Sequence, residues 1–152
     1  MTMPELSVDE LRLREAEPRD VPQLVNLRNG AREWFFDPGE VTLEGTLAWL
    51  GRSQAAGELN WVVESDGEVI GTISALPSER GVEVGRMIVA PAQQGQGVMK
   101  RALRMVVAFL AHRFPGPIFL EVRPDNPKAR SVYEDVGFTV TRVRMEWHDP
   151  TV

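Results

Sequence analysis

The chain contains no cysteine, a single tyrosine (Tyr133) and two histidines (His112 and His148) among its 152 residues. Without cysteine there is no disulfide framework, no thiolate-held zinc or iron–sulfur cluster and no thiol nucleophile. Two histidines leave little from which to build a histidine metal site or a catalytic triad, so no metal ligand set is assigned. Long apolar runs are missing as well. The longest, Met105 to Ala111, falls far short of the ~20 residues that a membrane-spanning helix requires. The N-terminal stretch MTMPELSVDELRLRE is mixed and charged, without the apolar centre of an export signal, and a cytoplasmic protein is expected. Positive charge is in deficit, with 17 basic against 22 acidic residues and a net charge of −5. Nucleic acid, which calls for a basic face, is therefore not an expected partner.

What remains is an ordinary globular composition, 43% hydrophobic and 26% charged. The length bounds one domain over residues 1–152, with 1–8 and 149–152 expected to fray. Leu11 to Arg14 alternates apolar and polar and suits a short strand. Asp20 stands where it can cap a helix carrying Val21, Leu24, Val25 and Leu27, ending near Gly30. A loop with Trp34-Phe35-Phe36 at its tip precedes a second helix, capped by Thr42 and carrying Leu43, Leu47 and Leu50 on one side. Asn60 to Glu64 and Glu68 to Ala75 flank Asp66-Gly67, a hairpin signal. Gly81 to Val89 is a third strand of this meander. Gln96 to Arg113 has helical periodicity in Met99, Ala102, Leu103, Val106 and Leu110. Pro117 to Val122 reads as a strand. Asn126 and Pro127 open a helix through Val136, closed by Gly137. Phe138 to Trp147 alternates as a last strand. The order β-α-α-β-β-β-α-β-α-β implies a mixed α/β sheet, an antiparallel meander followed by a βαβ crossover.

The most informative segment is Ile88-Val89-Ala90-Pro91-Ala92-Gln93-Gln94-Gly95-Gln96-Gly97-Val98-Met99. A strand runs into a tight polar and glycine turn, and the turn into a long helix. Glycines admit close backbone approach, and the first helical turn leaves its N–H groups unpaired. Together with the helix dipole they make a site for phosphate. The dinucleotide fingerprint fails for want of its third glycine, and no Gly-Lys-Ser/Thr is present. The plainer alternative for the segment is a strand-to-helix turn without a ligand.

Val89-x-Pro91-x-x-Gln94-Gly95-Gln96-Gly97 before a long helix resembles the acetyl-CoA-binding motif of the GNAT N-acyltransferase superfamily. That motif reads Gln or Arg, two residues, Gly, one residue, Gly or Ala. Gln94 and Gly97 match, and Met99 departs at the last place. Downstream, Leu120-Glu121-Val122, Asn126, Ala129, Tyr133-Glu134 and Gly137-Phe138 fall at the spacing of the family's second block. The resemblance implies a GNAT fold in which the fourth and fifth strands, here 81–89 and 117–122, splay apart around the pantetheine arm of acetyl-CoA. It places backbone contacts at Met87, Ile88 and Val89, the pyrophosphate on Gln94, Gly95, Gln96, Gly97, Val98 and Met99, and Asn126 against pantetheine. It gives Tyr133 the role of donor to the thioester sulfur during direct attack by an amine, with an oxyanion held by a backbone N–H.

For the base, Glu83 comes first and Glu121 second. Alternation puts residues 83, 85, 87 and 89 on one face. Each of these residues has a plainer role open to it: Tyr133 as a core aromatic, Asn126 as a helix cap, Glu83 as a surface carboxylate. Arg86 either reads an acidic group on the acceptor or is a solvated charge, and Trp34 to Phe36 either form a lip of the acceptor site or pack in the core. The expected function is acetylation of a primary amine on a small molecule such as an amino sugar. A protein N-terminus, or a non-catalytic acyl-CoA sensor on the same fold, is the alternative. Homodimers are common in that family.

Overall fold

The computed structural model describes residues 3–151; Met1, Thr2 and Val152, which belong to the termini expected to fray, lie outside them. The elements are β1 (Leu6–Val8), β2 (Leu11–Glu15), α1 (Val21–Gly30), α2 (Leu43–Ala55), β3 (Leu59–Ser65), β4 (Glu68–Ser78), β5 (Gly81–Val89), α3 (Val98–Arg113), β6 (Ile118–Phe119) and α4 (Pro127–Val136). The strands form one mixed sheet in chain order. Every neighbouring pair is antiparallel except β5 and β6, which run parallel on either side of the α3 crossover. Local signals act as their chemistry dictates. Asp66 and Gly67 both take positive φ at the β3–β4 hairpin. Thr42 Oγ1 accepts the Gly45 N–H at 3.0 Å to start α2. At the far end of α4, Phe138 N–H reaches back to the Tyr133 carbonyl at 3.0 Å.

Strand alternation divides the buried side chains between two faces. Leu11, Leu13, Trp61, Val63, Ile73, Ala75, Val82 and Val84 meet Val98, Ala102, Leu103, Val106 and Leu110 of α3. On the opposite face Val62 packs with Ala16, Val21 and Leu50 under α1 and α2. Full burial of each such aliphatic side chain stabilises by roughly 1.5–3 kcal/mol. No helix among the described residues is long and apolar enough to cross a membrane.

Four local expectations need correction. Residues 6–8 are not frayed: β1 pairs with Leu11–Leu13, and Met3, Leu6 and Val8 pack on the core. Asp20 does not cap α1, because its carboxylate is engaged by the buried Arg14, whose Nη1 and Nη2 donate at 2.9 and 2.8 Å. Arg14 also meets Glu64, and burial without these partners would be prohibitive for its charge. The strand expected over 117–122 is a ladder of two residues, since its neighbour diverges after Glu83↔Phe119. The strand expected over 138–147 does not form among the described residues. Its alternation is strand-compatible, but no edge pairs with it, and Val140, Val143, Met145 and Trp147 stand exposed.

Candidate active site

A bulge in β5 creates the site. Ser74 faces Gly85 and Thr72 faces Ile88, so two steps on β4 are matched by three on β5. The extra residue is accommodated at Arg86, whose φ is +50°, and Thr72 Oγ1 holds the Arg86 carbonyl at 2.7 Å. The inserted residue reverses the alternation. Val82 and Val84 before it, and Met87 and Val89 after it, all pack toward α3. The expectation that Glu83 and Met87 share a face by simple alternation is therefore wrong. Gly71 on β4 makes the close approach possible, because a Cβ there would stand 2.6 Å from the Ile88 carbonyl oxygen.

Past the two-residue β5–β6 ladder, the chain at Glu121–Arg123 swings away from β5. The cleft between them has a volume of ≈ 470 Å³, within the ordinary range for a ligand site. Met87, Ile88, Val89, Gln94, Asn126 and Tyr133 all line it, together with Glu83 and Glu121. The structure thus brings six of the expected cofactor residues to one cavity. Gly95 to Met99 continue from Gln94 as the turn into α3, outside the cleft lining. Val98 is a core residue and the half-buried Met99 side chain packs against the core, so it is mainly their backbones that face a ligand at the turn. That removes the significance of Met99 as a departure from the motif.

The glycine turn suits a pyrophosphate. Gly95 and Gly97 take φ of +82° and +72°, and nothing lies within 4 Å of where a Cβ would stand. Gly97 caps α3 without a side chain, and the Arg101 N–H is the one that bonds back to its carbonyl. The Arg101 guanidinium also contacts the Gln96 and Gly97 carbonyls, at 3.4 and 3.3 Å, and reaches Glu10. Gln94 is not a free arm: its Nε2 donates to the Val89 carbonyl at 3.2 Å and ties the strand end to the turn. Asn126 Oδ1 accepts the Ala129 N–H at 3.2 Å, which is the cap role, while its amide lines the cleft.

Tyr133 sits on α4 with its ring edge-on to Phe138 at 6.4 Å. Burial raises its pKa, which keeps the phenol protonated as a donor. Glu83 is raised mainly by burial, then by the charge of Glu121, with Arg80 opposing and Glu58 adding. Glu58, Glu83 and Glu121 together give the cleft an acidic wall. Trp34, Phe35 and Phe36 all line the cleft, with Phe36 largely exposed.

On the other side of the bulge lies an inner recess of ≈ 80 Å³. Phe35, Ser74, Arg86 and Ile88 line both cavities. Arg86 lies over the Trp49 ring at 4.2 Å and donates through Nε to Glu58 at 3.1 Å. Arg28 lies over Phe35 at 3.7 Å and donates through Nη2 to the Asp37 carbonyl. Asn29 clamps the same loop through Val41, accepting its N–H at 2.8 Å and donating to its carbonyl at 3.0 Å. Arg28, Trp49, Asn60 and Glu58 were not expected as site residues. The pair Arg28-Asn29 beside an aromatic loop was the available signal, but nothing in its spacing says that one residue holds the loop and the other faces inward.

A family model of the GNAT acetyltransferase domain matches residues 10–139. The chain belongs to the GNAT acetyltransferase family. Spermidine N(1)-acetyltransferase of Escherichia coli (strain K12) is 28% identical over 143 residues, covering 88% of this chain and 75% of that protein. Spermidine N-acetyltransferase from Vibrio cholerae, in complex with CoA and spermine, superposes with a TM-score of 0.76 at 25% identity, over 86% of this chain and 81% of that one. A ribosomal L7/L12 alpha-N-protein acetyltransferase in complex with coenzyme A superposes at 0.79 with 22% identity, over 91% and 86% of the two chains, and shows the shared fold. This GNAT protein is an acetyl-CoA-dependent N-acetyltransferase.

Proposed function

We propose that the chain acetylates the primary amine of a small molecule by direct transfer, with the cofactor in the cleft beside β5 and the acceptor entering from the recess side. The observation that carries this reading is the convergence of Gln94, Asn126, Tyr133 and Glu83, from separate elements, on one cleft opened by the β5 bulge. Acetyl-CoA supplies the acetyl group as an activated thioester. The backbone from Gln94 to Met99 holds its pyrophosphate, and Met87, Ile88 and Val89 pair with its pantetheine arm as an added strand would. Asn126 donates to the same arm. Glu83, raised by its surroundings, takes the proton from the acceptor ammonium, directly or through water. A β5 backbone N–H beside the bulge stabilises the developing oxyanion, and Tyr133 donates to the departing sulfur.

The small volume of the recess, ≈ 80 Å³ with Phe35, Trp49 and Trp61 among its lining, favours a small acceptor over a polypeptide N-terminus. An amino sugar is one candidate acceptor. The test is a panel of small amines and N-terminal peptides with acetyl-CoA, read by thiol release, to which a cysteine-free protein adds no background. Turnover of small amines above peptides is expected. Coenzyme A binding with no turnover on any amine would overturn the reading in favour of an acyl-CoA sensor.

A further inference from the structure

Among the described residues, Arg28 Nη1 is the one buried side-chain nitrogen or oxygen without a hydrogen-bond partner. The rest of that guanidinium is committed: Nη2 to the Asp37 carbonyl, one face to Phe35. The orphan nitrogen belongs to a side chain that lines the recess, where Arg86, its Nε already held by Glu58 at 3.1 Å, supplies a second guanidinium and no carboxylate contributes to the wall. The acids stand elsewhere. Glu58, Glu83 and Glu121 line the cleft and not the recess. The recess wall therefore carries guanidiniums and no acid, whereas the cleft wall carries three acids beside Arg123, which is itself paired with Asp125 at 2.8 Å; Arg86 stands at the boundary between the two.

From this arrangement we infer that the acceptor is zwitterionic, an amine that also carries a carboxylate, as an amino acid does. Its carboxylate sits between Arg28 and Arg86 in the recess, and its ammonium turns toward Glu83 and Glu121. The inference rests on the acetyltransferase reading above and adds the class of acceptor. A carboxylate oxygen gives Arg28 Nη1 the charge-assisted partner that the protein does not provide. Arg28 is already disfavoured in its charged form by burial; Asp37 partly compensates, and the neighbouring charge of Arg86 works against it. An anion relieves both of the unfavourable influences. At ≈ 80 Å³ the recess is several times the ~10–15 Å³ that one water needs. A polyamine meets the opposite situation, because its second ammonium would face two guanidiniums. This chain is thereby set apart from the relatives named as spermidine acetyltransferases.

The test uses the full chain with acetyl-CoA and matched acceptors: leucine against 3-methylbutylamine and phenylalanine against phenethylamine, with spermidine and glucosamine alongside. The carboxylate-bearing member of each pair is expected to have a kcat/KM higher by about tenfold or more. In Arg28→Gln and Arg86→Gln that ratio falls toward one through a rise in KM for the amino acid, while Arg28→Lys keeps part of it. Thermal melts verify that each variant is folded. Equal or better turnover of the decarboxylated amines, spermidine or glucosamine by the parent protein overturns the inference and leaves the transfer reading standing. A second measurement needs no turnover. Titration of N-acetyl-leucine into the coenzyme A complex is expected to show binding that weakens about tenfold in Arg28→Gln. Absence of binding to the parent protein, or equal binding by both, overturns the inference even if no amine is acetylated.

Discussion

The two sides of the β5 bulge are built on different plans. The cofactor side is made largely of backbone within Met87 to Met99, namely a turn with two glycines, the N-terminus of α3 and the divergent end of β5, to which α4 adds the side chains of Asn126 and Tyr133. The recess side is made of side chains drawn from α1, the loop after it, α2, β3, β4 and β5. A backbone site is encoded in one continuous stretch and serves a ligand common to many enzymes. A side-chain site is assembled from distant positions and can change one residue at a time. In the proposed reading the cofactor is accordingly fixed by the frame, whereas the acceptor is set by residues such as Arg28, Trp49 and Arg86.

The largest expected effect comes from Tyr133, which lines the cofactor side alone. Tyr133→Phe keeps the ring and its packing on Phe138 but removes the proton donor. Turnover is expected to fall about 100-fold with coenzyme A affinity unchanged. Loss of affinity without loss of turnover would assign Tyr133 to packing alone.

The next variant damages both sides at once. Gly71→Ala places a Cβ 2.6 Å from the Ile88 carbonyl and must push β5 aside at the bulge. Overpacking of this kind destabilises by about 1–3 kcal/mol, equivalent to a melting temperature lower by roughly 3–10 °C in a chain of this size. The KM values for acetyl-CoA and for the acceptor are both expected to rise, since one strand carries both walls. A rise confined to one substrate would show that the two sides do not share the bulge as a common support.

A smaller effect should separate them. Gly97→Ala forces an alanine to take a φ of +72° at the mouth of α3, a strain of roughly 1 kcal/mol or slightly more. The KM for acetyl-CoA is expected to rise about fivefold, with the acceptor KM unmoved. The reverse pattern would break the division between the two sides.

The same contrast explains what could be read from the sequence. The glycine turn, Asn126 with Pro127, Gly137 and the Asp66-Gly67 hairpin are local, and each forms as its residues dictate. Tyr133 is singled out by the family resemblance, seven residues after Asn126, and the structure brings both residues to the cleft. What escaped depends on pairing across distance. Whether 138–147 forms a ladder depends on an available edge, which alternation within the segment does not reveal. Asp20 looked like a cap until Arg14, on another element, claimed its carboxylate. The reversal of faces in β5 comes from one extra residue against β4, visible only in the register. The orphan nitrogen of Arg28 is a property of its surroundings and has no sequence signature.

The smallest effect on stability concerns Glu83, on the acidic wall of the cleft. Burial first and the charge of Glu121 second raise its pKa above the ordinary value of 4.5. The native state therefore holds the proton more tightly than the unfolded chain. Its contribution to stability is present below pH 4.5 and is lost as pH rises through the raised native value. Glu83→Gln removes the ionised form, so the variant is expected to melt about 1–2 °C higher than the parent near pH 8. The difference should close as pH falls toward 4. Activity moves the other way. The acid limb of the parent's kcat/KM profile should lie above the position of an ordinary glutamate, and the variant should lose that limb along with much of its turnover. A limb that persists unchanged in Glu83→Gln would transfer the base to Glu121, whose own substitution by glutamine would then remove it.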